Sequence, residues 1–173
     1  METKTFFLNE KEFKHDDVDI IGVDKDFDCN KEVLKVYFSD QNSAPYQLAK
    51  GEEGSMRHEL KLCEAQLSSL KHNQFFRVNE TIINFDKVES AVLSNELAYV
   101  LKVDMQNGNS YELYHGFNAD MADLFLTQYE DSMRMYRIMK NSEMASQVEI
   151  SDDKSQHNID LEETDTTNFE MQE

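Results

Sequence analysis

Ala98-Tyr99-Val100-Leu101-Lys102-Val103-Asp104-Met105-Gln106-Asn107-Gly108-Asn109-Ser110-Tyr111-Glu112-Leu113-Tyr114-His115-Gly116 reads as a pair of strands folded back on one turn. Tyr99, Leu101, Val103 and Met105 alternate with Lys102 and Asp104, the period of a half-buried strand. Asn107-Gly108 is a strong hairpin signal, because both residues tolerate the positive φ of a tight turn. Ser110–His115 is the return strand, and Gly116 ends it. Asn118 then caps a helix whose first turn carries Asp120, where the helix dipole favours an acid. The helix is expected to reach about Lys140, with Met121, Leu124, Phe125, Tyr129, Met133 and Tyr136 as its apolar stripe. Upstream, Thr81–Phe85 and Val88–Leu93 read as strands around Asp86-Lys87.

The first half of the chain follows the same plan. Tyr46, Leu48, Gly51 and Met56 share the pattern Tyr-x-Leu-x2-Gly-x4-Met with Tyr111, Leu113, Gly116 and Met121. Phe6-Phe7 matches Phe75-Phe76, and Asn9-Glu10 matches Asn79-Glu80. Asp16-x-Val18 matches Asp86-x-Val88, and Leu34-Lys35-Val36 matches Leu101-Lys102-Val103. An ordered series of this kind implies an internal repeat. Val18–Val23 and Val33–Phe38 read as strands, and Pro45 marks Tyr46–Leu48 as an edge strand. Met56, Leu60, Cys63, Leu67 and Leu70 step along one helical face. The expected fold class is therefore α+β. Residues 1–72 and 73–141 form a tandem pair of βββα-like units, each an antiparallel sheet followed by an amphipathic helix.

Residues 142–173 are expected to be a disordered acidic tail. Ser142–Glu173 has no Gly or Pro and no aromatic except Phe169. Such a stretch buries too little apolar surface to offset ordering, roughly 1–2 kcal/mol per residue. The 173 residues carry a net charge of −18, of which residues 146–173 contribute −8 and the rest −10. A surface of that sign repels nucleic-acid phosphates and anionic membranes and attracts basic partners. The opening METKTFFLNEKEF lacks the basic stretch and apolar run of a signal peptide. No apolar run approaches the roughly 18 residues that span a bilayer. The expected setting is the cytoplasm of a bacterial host cell, with Cys29 and Cys63 as free thiols.

Asp24-x-Asp26-x-Asp28 imitates the start of a calcium loop, where alternating oxygens converge on a hard cation. The sixth position needs Gly and has Cys29, and the twelfth needs a bidentate Glu and has Lys35. The triplet reads instead as a solvated hairpin tip. The five histidines are scattered, neither Cys lies in a CxxC, and no GxSxG, P-loop or GxGxxG occurs. No catalytic residue, metal ligand or cofactor is assigned. Tyr111 and Tyr114 are placed on opposite faces of one strand, which exposes at least one tyrosine among acids.

Phe75-Phe76-Arg77-Val78-Asn79-Glu80-Thr81-Ile82-Ile83-Asn84-Phe85-Asp86-Lys87-Val88, after the leucine-bearing segment His58–Leu70, resembles the centre of LytTR-type DNA-binding domains. That family reads F-x-R-V-H-R-S-Y-I-V-N-L-D-K-I, and the likeness covers about residues 58–88. The resemblance implies a DNA-binding transcription regulator. The chain departs from it where Asn79-Glu80 stands in place of the His-Arg pair on the DNA side.

Size, charge and the lack of a catalytic motif lead to a non-enzymatic, acidic, protein-binding inhibitor. Its partner is expected to be a basic protein that handles nucleic acid, with no direct binding to nucleic acid or membrane. A phage or mobile-element protein of anti-defence or host-takeover type, mimicking a nucleic acid, fits this description. The candidate partner-binding residues are Asp24, Asp26, Asp28, Asp104, Glu112, Tyr114, Asp120 and Asp123. The alternatives are a LytTR-like transcription regulator and a structural protein of a virion or conjugative apparatus.

Overall fold

A computed structural model describes residues 5–26, 29–69 and 74–159, with side chains as far as residue 145 except Ser69. Strands β1 (Thr5–Leu8), β2 (Lys11–Lys14), β3 (Val18–Asp26), β4 (Lys31–Phe38) and β5 (Tyr46–Gly51) precede helix α1 (Met56–Ser69). Strands β6 (Phe75–Val78), β7 (Thr81–Asn84), β8 (Val88–Ser94), β9 (Tyr99–Met105) and β10 (Ser110–Gly116) precede helix α2 (Ala119–Ile159). One turn of 3₁₀ helix links β2 to β3 at His15–Asp17, and another links β7 to β8 at Phe85–Lys87. All pairings are antiparallel, in sheets of order β1-β2, β5-β4-β3-β7-β6 and β10-β9-β8. The α+β class agrees with the sequence. The chain divides into two compact units, Met1–Tyr136 and Arg137–Glu173. The segment expected to be disordered, 142–173, begins within α2, and its last part, 160–173, lies outside the described residues.

The strand count differs from the expected three per helix, because each helix follows five. The additional strands come from hairpins closed by turns that contain no glycine. Asn9 and Glu10 turn the first, with φ of 47° and 65°, and Asn79 at 52° starts the second. Asn adopts the left-handed conformation more readily than most L residues, and the Asn9 side chain donates to the Leu48 carbonyl at 3.4 Å. Pairing runs from Leu8↔Lys11 in one hairpin and from Val78↔Thr81 in the other. Bulges also recur. Asp19 is the extra residue between Val18↔Phe38 and Ile20↔Tyr37, and Glu89 is the extra residue between Val88↔Met105 and Ser90↔Asp104. Leu48 and Leu113 are the extra residues where β5 meets β4 and β10 meets β9.

The central strands β3, β4 and β7 of the five-stranded sheet are buried on both faces, which accounts for unalternating runs such as Ile20-Ile21 and Ile82-Ile83. Ile21, Leu34, Val36 and Ile82 pack on one side with Phe6, Leu8 and Phe13 of the first hairpin and with Met56, Leu60, Cys63 and Leu67 of α1. Ile20 and Ile83 face a second cluster with Val78, Phe85, Val103, Met105 and Tyr129. The α1 stripe is as expected from Met56 to Leu67, and Leu70 lies outside the described residues. The α2 stripe is rotated: Ala122, Phe125 and Tyr129 are buried, whereas Met121 and Leu124 are 40% and 47% exposed. Tyr129 and Tyr136 lean on Phe85, with ring centroids 5.6 and 5.8 Å away.

Full burial of Leu60 in the first cluster makes Leu60→Ala a cavity-forming change worth about 3 kcal/mol, read as a lower urea midpoint at unchanged slope. Among the described residues neither core cluster holds one beyond Tyr136. A chain ending at Met144 is therefore expected to keep the melting temperature of the full chain, and loss of cooperative melting would contradict this.

Candidate functional site

The sequence-derived candidates fall into separate groups. Asp24 and Asp26 lie two residues apart on β3, and each already holds a cation. Asp24 Oδ2 accepts from Lys35 Nζ at 2.8 Å and also from Tyr37 Oη. Asp26 Oδ2 accepts from Lys50 Nζ at 2.5 Å. Asp28 lies outside the described residues. Among the described residues no group of three or more His, Cys, Asp or Glu is arranged to hold a metal ion.

Asp104 and Glu112 share the outer face of the β8–β10 sheet, opposite Ser110 and Lys102 respectively. Asp104 accepts from Ser110 Oγ at 2.5 Å and Ser90 Oγ at 3.2 Å, while Glu112 lies 3.2 Å from His115 Nδ1. Asp120 and Asp123 are exposed in the first turns of α2. Tyr114 corrects the expectation of opposite faces. The bulge at Leu113 shifts the alternation by one, so Tyr111 and Tyr114 both turn inward. Tyr114 packs on Phe125 at 5.1 Å and donates to the Asn118 carbonyl at 3.1 Å.

The densest polar arrangement centres on a residue the sequence reading did not select. Asp19 is fully buried. Its bulge position turns the side chain out of the strand alternation, toward donors from distant segments. Ser39 Oγ donates to Oδ1 at 2.7 Å, Asn109 Nδ2 to Oδ2 at 2.8 Å, and Tyr111 Oη to Oδ2 at 3.0 Å. Asn107 Nδ2 donates to both oxygens, at 3.0 and 3.3 Å. Lys87 Nζ stands 3.6 Å from Oδ1 and donates to Ser39 Oγ and the Asp16 carbonyl. A polar residue inside Val18-Asp19-Ile20-Ile21 was the available signal, since an acid in so apolar a strand needs internal partners.

Burial alone raises the Asp19 pKa, but hydrogen bonds from Asn107, Ser39 and Asn109, with the charge of Lys87, more than reverse it. The carboxyl sits below its ordinary value. Burial lowers Lys87 by more than Asp19, Asp16 and Asp17 restore. The amide and hydroxyl contacts at 2.7–3.0 Å against 3.6 Å to Lys87 show that neutral donors do most to hold Asp19 ionised. Tyr111 is pushed up by burial and by Asp19, and Tyr37 by burial and by Asp24. Burial also raises the Cys63 thiol to about 11, which suits a packing residue and not a nucleophile.

Two open depressions flank these elements. One of about 510 Å³ is lined by Glu64, Arg77, Asn79, Gln128, Asp131 and Ser132. The other, of about 380 Å³, is lined by Asp17, Phe38, Ser39, Asp40 and Ser43. In the first, Arg77 is already engaged by Glu64 at 3.3 Å and by the Asn79 carbonyl at 2.6 Å. No helix among the described residues is long and apolar enough to cross a membrane. Comparison with family models, with curated proteins and with solved structures finds no match, so the local LytTR resemblance has no family match behind it.

A depressed folded pKa means stability that is present above the unfolded value, near 3.9, and lost as pH falls through the folded value. Melting temperature is therefore expected to drop below about pH 4. Asp19→Asn places an amide against the Asn107 and Asn109 donors and removes the carboxylate that faces Lys87, which keeps Ser39 and the Asp16 carbonyl. It is expected to cost roughly 3 kcal/mol at neutral pH and to flatten the acid limb. An unaltered acid limb would show that Asp19 is not responsible.

Proposed function

We propose that the protein is a non-enzymatic acidic binding protein, an inhibitor whose carboxylate surface engages a basic, nucleic-acid-handling protein of the bacterial host. The observation that carries this reading is how the cations between residues 72 and 133, ahead of Arg134, Arg137 and Lys140 on α2, are used. Residues 72–133 contain three bases, Arg77, Lys87 and Lys102, against ten acids. Arg77 and Lys87 are turned inward, with side chains 22% and 18% exposed and bonded to Glu64 and to the Asp19 group. Lys102 is left exposed across from Glu112. Glu89, Glu96, Glu112, Asp120 and Asp123 are exposed. A surface left with acids after internal pairing attracts a phosphate-binding groove and speeds encounter with it. The LytTR-like reading needs a positive face, and the inward turn of Arg77 and Lys87 counts against one.

The chain also reads as a duplication, each copy running strand, strand, 3₁₀ turn, three strands and a helix. Support comes from the order of elements, the Asn-Glu turns and the bulges at Asp19 and Glu89 and at Leu48 and Leu113. The hairpin registers set Phe6 against Phe76, one position from the match read in the sequence.

A fluorescence anisotropy titration with mixed-sequence duplex DNA at low salt is expected to show no binding up to micromolar protein. Salt-sensitive micromolar binding would favour the regulator instead. Capture from bacterial lysate, followed by mass spectrometry, is expected to recover basic nucleic-acid-binding proteins that added salt releases, chiefly by slowing association. Retention indifferent to salt would count against an electrostatic interface.

A further inference from the structure

One junction inside the chain has both of its halves repeated elsewhere without partners. Strand β7 adds to the edge of β3 through Ile20↔Ile83, Ile21↔Ile82 and Gly22↔Thr81, and Val23 N–H donates to the Glu80 carbonyl at 3.2 Å. Strand β8 holds in its sheet the place that β3 holds beside β4. It follows the same kind of 3₁₀ turn, carries its bulge at Glu89 as β3 does at Asp19, and pairs on one side with β9. Its other side has no strand partner among the described residues. Strand β2 likewise stands where β7 stands, after a turn of Asn and Glu, and its outer edge has no strand partner among the described residues.

We propose that β8 of one copy of this chain takes β2 of a second copy, antiparallel, as β3 takes β7. The transferred register sets Ser90 opposite Phe13, Ala91 opposite Glu12 and Val92 opposite Lys11. This rests on the correspondence of the two halves and is independent of the acidic-partner reading. The occupant is a second copy because the hairpin required is present in this chain and already seated correctly. Phe6, Leu8 and Phe13 anchor β1-β2 on the α1 cluster, as Val78 and Ile83 anchor β6-β7 on the α2 cluster. Each docked hairpin therefore has its second edge available for the next sheet.

The edge chemistry of β8 agrees, whereas β2 carries the charges of Lys11, Glu12 and Lys14. Val88-Glu89-Ser90-Ala91-Val92-Leu93-Ser94 has no proline and one charge, which sits on the bulge, and Val92 is 53% exposed. Natural edges that must stay unpaired are usually blocked by charge or proline. At the internal junction Asn84 Nδ2 donates to the carbonyls of Val18 at 3.0 Å and His15 at 3.3 Å. In the corresponding place on β2 stands exposed Lys14, whose ammonium would meet the carbonyls of Val88 and Phe85. The contact is heterologous, since β8 meets β2 and not β8. It propagates head to tail until a ring closes or a chain of copies grows.

Backbone direction supplies the test. Val23 points its N–H at β7, so by alternation Ala91 and Leu93 point theirs at the free edge of β8. The two-residue turn makes Leu8 and Lys11 the bonded pair, so Glu12 points outward on β2. Ala91→Pro and Glu12→Pro each remove an edge donor and spare the internal ladder. Sedimentation velocity of the full chain over a concentration series, at salt sufficient to screen the −18 charge, is expected to show masses above a single chain. Each variant alone is expected to remain single. An equimolar mixture is expected to form a one-to-one dimer, because each variant retains the edge the other lacks. Assembly that survives Glu12→Pro but not Ala91→Pro would indicate β8 pairing with itself and overturn the proposal. A single-chain mass for wild type at every concentration and salt would also overturn it. Unaltered thermal melts establish that the variants fold. Should either variant fail to fold, hydrogen exchange on wild type decides: protection of the Ala91 and Leu93 amides must rise with concentration, and concentration-independent exchange refutes the contact.

Discussion

A carboxylate without access to water needs its donors supplied by the protein, and Asp19 draws them from Ser39, Asn107, Asn109 and Tyr111. These residues come from the loop after β4, the β9–β10 turn and β10 itself, so satisfying one acid fixes how the β8–β10 sheet meets the five-stranded sheet. Ring contact between Tyr37 and Tyr111 at 5.7 Å lies at the same seam. The hydrogen bonds are directional where apolar contacts are not, and a half-satisfied buried network costs more than none. The bulge makes the arrangement possible. Without the extra residue, Asp19 would follow the strand's alternation in place of meeting the seam.

The same logic explains how the charges are distributed. The chain has 17 Lys and Arg against 35 Asp and Glu, and several of those cations are paired with the chain's own acids. Lys87 serves Asp19, Lys35 serves Asp24, Lys50 serves Asp26, and Arg57 serves Glu80. Each pair takes up one acid with one base, so the chain's net charge of −18 is unchanged by the pairing. Exposed ion pairs contribute little to stability, so their consequence here lies in the field that the protein presents to a partner.

Much of the secondary structure was legible because period and turn chemistry act locally. Val33–Phe38 and the α1 stripe Met56, Leu60, Cys63 and Leu67 follow from spacing and the Asn107-Gly108 hairpin from turn chemistry, and all are present. The first strands of each half are not legible in the sequence. Thr5–Leu8 and Phe75–Val78 have four residues each, too few to display a period, and their turns lack the glycine that usually announces a hairpin. The rotation of the α2 stripe away from Met121 and Leu124 was hidden for another reason. Apolar residues occupy so many of its positions that spacing does not choose among faces, and packing against Phe85 does. The inward turn of Tyr114 depended on a one-residue bulge, which no alternation count reveals. Of the candidate acids, Asp24 and Asp26 were visible as a cluster, but the lysines that answer them come from β4 and β5 and are neighbours only after folding.

Pairing of β3 with β7 has a further consequence for how the halves depend on each other. Ile20 belongs by sequence to the first half, yet it packs with Val103, Met105 and Tyr129 of the second. Ile82 belongs to the second half and packs with Leu34 and Leu60 of the first. Each cluster is thus completed by a residue borrowed across the shared sheet. Adjacent isoleucines on one strand serve opposite faces, so a one-residue slip of β7 against β3 would exchange the residues offered to each core. The register is held against that slip by polar contacts at both ends of the junction. Asn84 donates to Val18 and His15 at one end, and Glu80 accepts from Val23 at the other. Apolar area drives the halves together, and these few directional bonds select the register in which both cores close.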